Sequence, residues 1–295
     1  MTRSGITRRE FAAALATVGG SLVVSGPRRL VAATATRSKV VLVRNADVLD
    51  PGGKPKEAVL EQMMGQALTA LTGRRTAREA WQAIVRQGDV VGIKSNAWKY
   101  IPTTPQLEQV LKRGVMSAGV AEANIGIDDR GVLRNPIFQR ATALINARPM
   151  RAHHWSGVGS LIKNYIMFVP DPSSYHPDSC ADLGKIWHKP HVKGKTRLNV
   201  LSMLTPQFHG LGPHGFTPQF VWRYCGLLVG VDPVAVDSVG LRIILAKRRA
   251  HFGDDRPLPT PAHHIQYADT RWHLGTADLA KIELVKIGYA KDLLL

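Results

Sequence analysis

From Lys39 onward, short apolar runs alternate with stretches of helical periodicity, and this alternation restricts the fold more than any other feature of the chain. Residues 40–43, 89–93, 124–127, 150–153, 198–203 and 226–231 read as strands. Helical patterns fall at 56–71, 78–85 and about 136–146. In a further helix Thr104 caps, Pro105 takes the first position, and Leu107, Val110, Leu111 and Val115 form the apolar face. The pattern predicts an α/β fold: a single domain over residues 36–295, with a mostly parallel or mixed central sheet flanked by helices. Residues 155–213 are rich in Gly, Pro, His and Lys and read as a loop-rich insertion, not a second domain. With 44% hydrophobic residues the chain has enough apolar material for a core, which excludes a disordered protein.

The first 35 residues read as an address. Thr7-Arg8-Arg9-Glu10-Phe11 is a paired-arginine motif before an apolar stretch, and Ala33-Thr34-Ala35 fits a cleavage site. The apolar stretch falls short of the roughly 18 residues a membrane span needs. The expectation is a twin-arginine signal peptide over residues 1–35, recognition by the twin-arginine translocation machinery, and a periplasmic or extracytoplasmic location. That pathway carries folded proteins, frequently with a cofactor already loaded.

Charge limits the partners. The chain carries +17, of which +13 remains on the residues after position 35. Such a balance favours a small anionic ligand, or peripheral contact with an anionic membrane surface. Basic residues cluster in 185–197, with Lys189, Lys193 and Lys195, and again at Lys247-Arg248-Arg249; both runs read as solvated faces. Trp187 is the only aromatic in the first run and no nucleic-acid module is visible, so nucleic acid is not an expected partner. Two cysteines, Cys180 and Cys225, allow one disulfide but cannot hold an iron–sulfur cluster alone.

Polar residues gather after the strands, where open α/β sheets bind ligands. Lys94, Ser95 and Asn96 follow the second strand. Asp128 and Asp129 follow the third, with Arg134 beyond them, and His153 and His154 close the fourth. Each has a plainer reading, Asp128-Asp129 as a cap or turn and Lys94 as a surface charge. Their coincidence at three successive strand ends points to one shared site. In the segment 153–164, Gly157 and Gly159 let backbone approach a ligand, and Lys163 and Asn164 end the turn; a Walker loop is absent. His176, His188, His191, His209 and His214 lie downstream. Imidazole can ligate nickel, zinc or iron or move a proton, and His153 and His176, which bracket the glycine–lysine segment, are the candidate metal ligands. Asp232 caps a helix begun by Pro233, with Val236, Val239, Gly240 and Ile243 facing the core. Asp237 either stabilises that helix end or hydrogen-bonds into the site.

The run from Gly157-Val158 through Ile162-Lys163-Asn164, then Tyr175-His176, residues 210–213 with Gly215, and Gly230 to Asp237, resembles the domain-of-unknown-function-362 family. Many members carry a twin-arginine signal and add ferredoxin-like cysteine clusters. This chain lacks those clusters, so no iron–sulfur cluster is expected. A more distant likeness joins Asp128-Asp129 and Arg134, then His153 (or His154) with Gly157, Gly159 and Lys163, to the nickel-pincer lactate racemase family. It implies a divalent metal or a nucleotide-derived cofactor at the same place.

The expectation is therefore an exported enzyme binding a small anionic substrate or cofactor at the strand ends. In it Lys94, Asn96, Arg134, Gly157, Gly159, Lys163 and Asn164 bind, His153 or His154 moves a proton, and Asp129, the third candidate catalytic residue, orients one of these or binds a ribose or metal. The alternative is a noncatalytic metal- or cofactor-binding protein using His153, His176 and one of His209 and His214. A surface protein holding acidic lipid or polymer through its basic face is a third reading.

Overall fold

In a computed structural model, which describes residues 37–210 and 215–295, eight strands form one sheet. The signal-like N-terminus and His214 lie outside the described residues. In chain order the elements are β1 (Ser38–Arg44), α1 (Glu57–Thr72), α2 (Ala77–Ile84), β2 (Val91–Lys94), α3 (Pro105–Ser117), β3 (Ile125–Asp128), α4 (Pro136–Gln139), β4 (Ala143–His153), β5 (Gly157–Gly159) and α5 (Leu161–Asn164). A series of single turns leads to β6 (Thr196–Gln207), followed by β7 (Gly226–Gly230), α6 (Pro233–Phe252), α7 (His263–Thr270) and β8 (Ile282–Gly288).

The strand order is β3-β2-β4-β6-β7-β1-β8, with β5 hairpinned onto β4. Strands β3, β2, β4 and β6 run parallel, β7 is antiparallel to both neighbours, and β1 pairs parallel with β8. The mixed sheet with flanking helices is the α/β fold expected from the alternation.

Residues of β1 alternate between two apolar layers. Val40 and Leu42 join Val236, Val239 and Ile243 of α6 on one face, while Val41 and Val43 join Leu60, Met64 and Leu68 of α1 on the other. Both faces are covered, which is why the strands read as continuous apolar runs. No helix among the described residues is long and apolar enough to cross a membrane.

Two local expectations are corrected, and the open question of the cysteines is answered. The helix expected at 136–146 is a single turn, α4, and the chain is already extended from Ala143. Residues 141–147 are small and apolar enough to suit either state, and burial between β2 and β6 decides for a strand. Arg248, expected on a solvated face, is buried, its guanidinium donating to Phe208 O and Pro257 O and meeting His209 Nδ1 at 2.9 Å. Cys180 and Cys225 are both free and buried.

Asp232 caps α6 as expected and does more. Its Oδ1 accepts from Val234 N (2.8 Å) and Ala235 N (2.9 Å), and its Oδ2 from Ser38 Oγ (2.6 Å) and Thr276 N (3.0 Å). One carboxylate thus pins the start of β1 and the loop before β8 to the helix end. Asp232→Ala is expected to cost about 1–2 kcal/mol for the cap alone. Urea denaturation should show a lower midpoint with an unchanged slope; an unchanged midpoint would remove this role.

Candidate functional site

The site begins with a mismatch in strand length. The last β2–β4 pair is Lys94 with Asn146, yet β4 continues to His153, paired with β6 on its other side. A register shift between Pro149 and Arg151 re-phases this overhang. Two-residue alternation would put Arg148 and Arg151 on opposite faces, whereas with the shift both line one cavity.

That cavity, of about 220 Å³, lies against the part of β4 beyond its pairing with β2. Asn96 and Trp98 come from the loop after β2, Asp129 and Arg130 from the loop after β3, Arg148, Arg151 and His153 from the overhang, Lys163 and Asn164 from α5, and His176 from the turns beyond.

Helix α5 is held from outside. Asp237, on α6, accepts from Leu161 N (2.9 Å), Ile162 N (2.9 Å) and Ser160 Oγ (2.6 Å), so it stabilises the start of the turn that presents Lys163 and Asn164. Of the two roles read for Asp237, it fills the second: its contacts are to the site, not to its own helix end. Burial pushes its carboxyl up to about 6, against the pull of these three donors. Ser160 spends its proton on Asp237, so the fully buried His264, with Nε2 3.3 Å from Ser160 Oγ, is the donor in that contact. Burial, then Lys163 and Arg148, lower His264 to about 3.

Asn164 is locked by amide bonds: its Nδ2 donates to Asn146 Oδ1 (2.8 Å) and Lys94 O (3.2 Å). Asn146 Nδ2 in turn donates to Asn199 Oδ1 (3.2 Å), and Asn199 to Val231 O (2.8 Å).

Lys94 is fully buried. Its Nζ forms an ion pair with Asp129 and donates to Ser95 O (2.7 Å) and Asn164 Oδ1 (3.4 Å). Burial lowers it to about 8 even though Asp129 opposes the shift. For Asp129, burial pulls upward, but Lys94, the N–H of Ala97 (2.8 Å) and Arg148 together hold it below the ordinary carboxylate range. The pair is therefore internally neutral, and Asp129 is an ionised brace between the ends of β2 and β3. Its expected part was to orient a histidine or to bind a ribose or metal; both its oxygens are engaged, with Lys94 Nζ and Ala97 N.

Among the described residues the remaining cations of the cavity have no such counter-ion. Arg148 donates to Ser160 O (3.2 Å), but its Nη2 is buried without a partner. Arg151 stands 4.0 Å over the Trp98 ring with Nε and Nη1 buried and unpartnered. Burial lowers Arg148 to about 10 and Arg151 well below the ordinary guanidinium range, each raised somewhat by Asp129. Lys163 Nζ donates to Cys180 Sγ at 3.5 Å. Burial, then Arg148 and Arg151, bring it to about 8 despite Cys180. Burial itself pushes the Cys180 thiol up.

His153 accepts from Trp155 N at Nδ1 (3.2 Å), which puts the ring proton on Nε2. Burial, followed by Lys163, Arg151 and Arg148, drives its basicity far below the ordinary imidazole range. It is a neutral N–H donor, in the same way that a neutral imidazole can polarise an oxygen.

The other expected residues divide. His154 is half-buried, its ring 4.2 Å from that of Trp155, and it does not line the cavity. Arg134 is exposed and away from the cavity; Arg130, four residues earlier, stands at its mouth. Gly157 and Gly159 admit protein, not ligand. At Gly157 (φ +70°) a Cβ would sit 2.4 Å from Thr260 O, and at Gly159 a Cβ would sit 2.8 Å from Arg148 Nη2. His209 belongs to the Arg248 contact, and His188 meets Trp272 O (2.9 Å). Arg148, Arg151 and Trp98 were missed. Two arginines inside the apolar run of 143–153 were the available signal, since a charge in a buried strand needs a reason.

The implied metal does not suit these donors. His153 and His176 both line the cavity, but Lys163, Arg148 and Arg151 surround them, and a divalent cation would meet repulsion. Among the described residues no group of three or more His, Cys, Asp or Glu is placed to hold a metal ion. A nucleotide-derived cofactor does not suit it either, because 220 Å³ falls below the roughly 300–1,000 Å³ typical of sites for larger ligands.

The chain is thus an α/β protein whose mixed open sheet carries a cavity lined by cationic side chains at its strand ends. Residues 123–242, from β3 to the middle of α6, match the family model described as Domain of unknown function (DUF362), and over that stretch the chain carries a domain of this family. No curated protein and no solved structure matches the chain.

The lowered Lys163 has a consequence for stability. Its folded-state value of about 8 lies below the ordinary 10.5, so the folded chain releases this proton first. Stability rises between about pH 8 and 10.5, is fully present above that window, and is lost as pH falls through 8. Lys163→Met removes the buried cation and is expected to be more stable than wild type at pH 7, by up to about 3 kcal/mol. Urea denaturation should show the gap narrowing by pH 10; an equal gap at both pH values would contradict a buried charge at Lys163.

Proposed function

We propose that this domain is an enzyme acting on a small anion, bound in the cavity between the β2 and β3 loops and the β4 overhang. The observation that carries this reading is the set of three unpartnered nitrogens on two buried guanidiniums, Nη2 of Arg148 and Nε and Nη1 of Arg151. A buried, unpaired charge is costly, and a bound anion would offset that cost with charge-assisted hydrogen bonds. With Lys94 and Asp129 cancelling, Arg148, Arg151 and Lys163 leave room for at least two negative charges, as on a dicarboxylate or a phosphate. Arg130 at the mouth would draw the ligand in.

In this reading Arg148 and Arg151 hold the anionic oxygens, Asn96 and Asn164 offer amide contacts, and Lys94–Asp129 keeps the strand-end loops in place. His153 donates from Nε2 to an oxygen that gains charge during the reaction. The paired-arginine N-terminus supports export of the folded chain and action outside the cytoplasm. The +13 on the residues after position 35 would also favour peripheral contact with an anionic membrane surface.

Isothermal titration with oxalate and with inorganic phosphate, in a chloride-free buffer, tests this. One-site binding is expected for at least one of them, weakening with ionic strength and accompanied by a higher melting temperature. Arg151→Met should weaken it by about tenfold or more, since hydrogen bonds to charged groups contribute about 1.5–3 kcal/mol each. Binding that Arg151→Met leaves untouched, or no binding of either anion, would overturn the proposal.

A further inference from the structure

The two lysines of the site differ in what surrounds them. Lys94 is tied by Asp129, Ser95 O and Asn164, which suits a permanent structural cation. Lys163, equally inaccessible, has no carboxylate beside its Nζ; its hydrogen-bond partner is the Cys180 thiol. The thiol is brought there by a turn in which Asp178, Ser179 and Cys180 all adopt positive φ (48°, 54° and 64°), costly backbone that persists only where its surroundings enforce it. The fold has thus placed an amine in a small cavity of about 220 Å³, beside two guanidiniums and next to a neutral group.

Those are the surroundings that keep an amine uncharged and nucleophilic. At its value of about 8, about a tenth of Lys163 is the free amine at pH 7, far more than for an ordinary lysine. An electrophile is needed close to an anionic handle. The free N–H groups of Arg148 and Arg151 suit a carboxylate, and the Nε2–H of His153 suits the oxygen of a carbonyl.

We propose that Lys163 forms an imine with a 2-oxo acid whose carboxylate is held by Arg148 and Arg151. This rests on the anion reading of the cavity and names its substrate class. The Nζ lone pair forms the bond to the carbonyl carbon, and the π pair moves onto oxygen, which accepts a hydrogen bond from His153 and takes up the proton released by nitrogen. The resulting carbinolamine loses its hydroxyl with a second proton as water, leaving the imine. Amine and ketone give imine and water, so no oxidant or reductant is needed.

The test uses the full chain with pyruvate as probe and sodium cyanoborohydride as trap, followed by proteolysis and peptide mass spectrometry. The expected result is a reduced pyruvate adduct on Lys163 that forms ahead of any on exposed lysines and is suppressed by oxalate, which fills the anion site without a carbonyl. Lys163→Arg should lose that adduct, and an unchanged far-ultraviolet circular dichroism spectrum shows that the variant folds. If Lys163 is modified no faster than exposed lysines while oxalate binds, the imine is excluded and the anion site stands. If oxalate does not bind either, both readings fall.

Discussion

Asp237 is where the structure of this site is decided. Its carboxylate is fully buried, has no cation bonded to it, and accepts from two backbone N–H groups and one hydroxyl at the start of α5. An anion at a helix start is favoured by the orphan donors there, and burial makes the contact stronger than it would be in water. Two segments some seventy residues apart, the glycine–lysine turn and the strand–turn–helix ending at Asp237, thereby become one structural unit. Asp232, a turn earlier on the same helix, does for β1 and the loop before β8 what Asp237 does for α5.

The second constraint is charge. Among the described residues Asp129 is the only carboxylate lining the cavity, and Lys94 neutralises it; Asp237 stands behind α5. The guanidiniums of Arg148 and Arg151 and the amine of Lys163 therefore repel one another in a site that water reaches poorly. Such an arrangement is destabilising for the empty protein, and the fold carries it on a strand held by β6 and braced by two burial layers. Burial, reinforced by the same repulsion, keeps His153 neutral, and the repulsion makes a divalent cation a poor occupant.

Much of this was legible in the sequence because parallel strands end together. Lys94, Asn96, Asp129, His153, Lys163 and Asn164 all follow or close apolar runs, and all reach or brace one cavity. The arginines were not legible by that logic. Arg148 and Arg151 lie inside a strand, and only its overhang beyond β2 and its register shift expose them to the cavity, features of pairing that no local pattern encodes. Arg134 was chosen where Arg130 stands because both follow Asp129 closely, and the path of the turn determines which one reaches the mouth. Gly157 and Gly159 were read as places where backbone meets a ligand, but the groups found against them are Thr260 O and the Arg148 guanidinium. Strand β8 pairs with β1 from the far end of the chain and carries a half-exposed pattern that the apolar-run criterion passes over.

The placement of the cavity follows from connectivity as much as from side chains. From β2 the chain passes through α3 to β3 on one side, then returns through α4 to β4 on the other. Neighbouring loops diverge at such a point and leave a crevice that neither fills, the usual ligand position in open α/β sheets. Here β2 is short and β4 long, so the crevice gains a wall of strand carrying fixed side chains. Groups mounted on a paired strand lose little freedom on binding, whereas loop residues must be ordered each time. That difference favours Arg148, Arg151 and His153 as the rigid part of the site, with Arg130, Asn96 and His176 as the part that adapts.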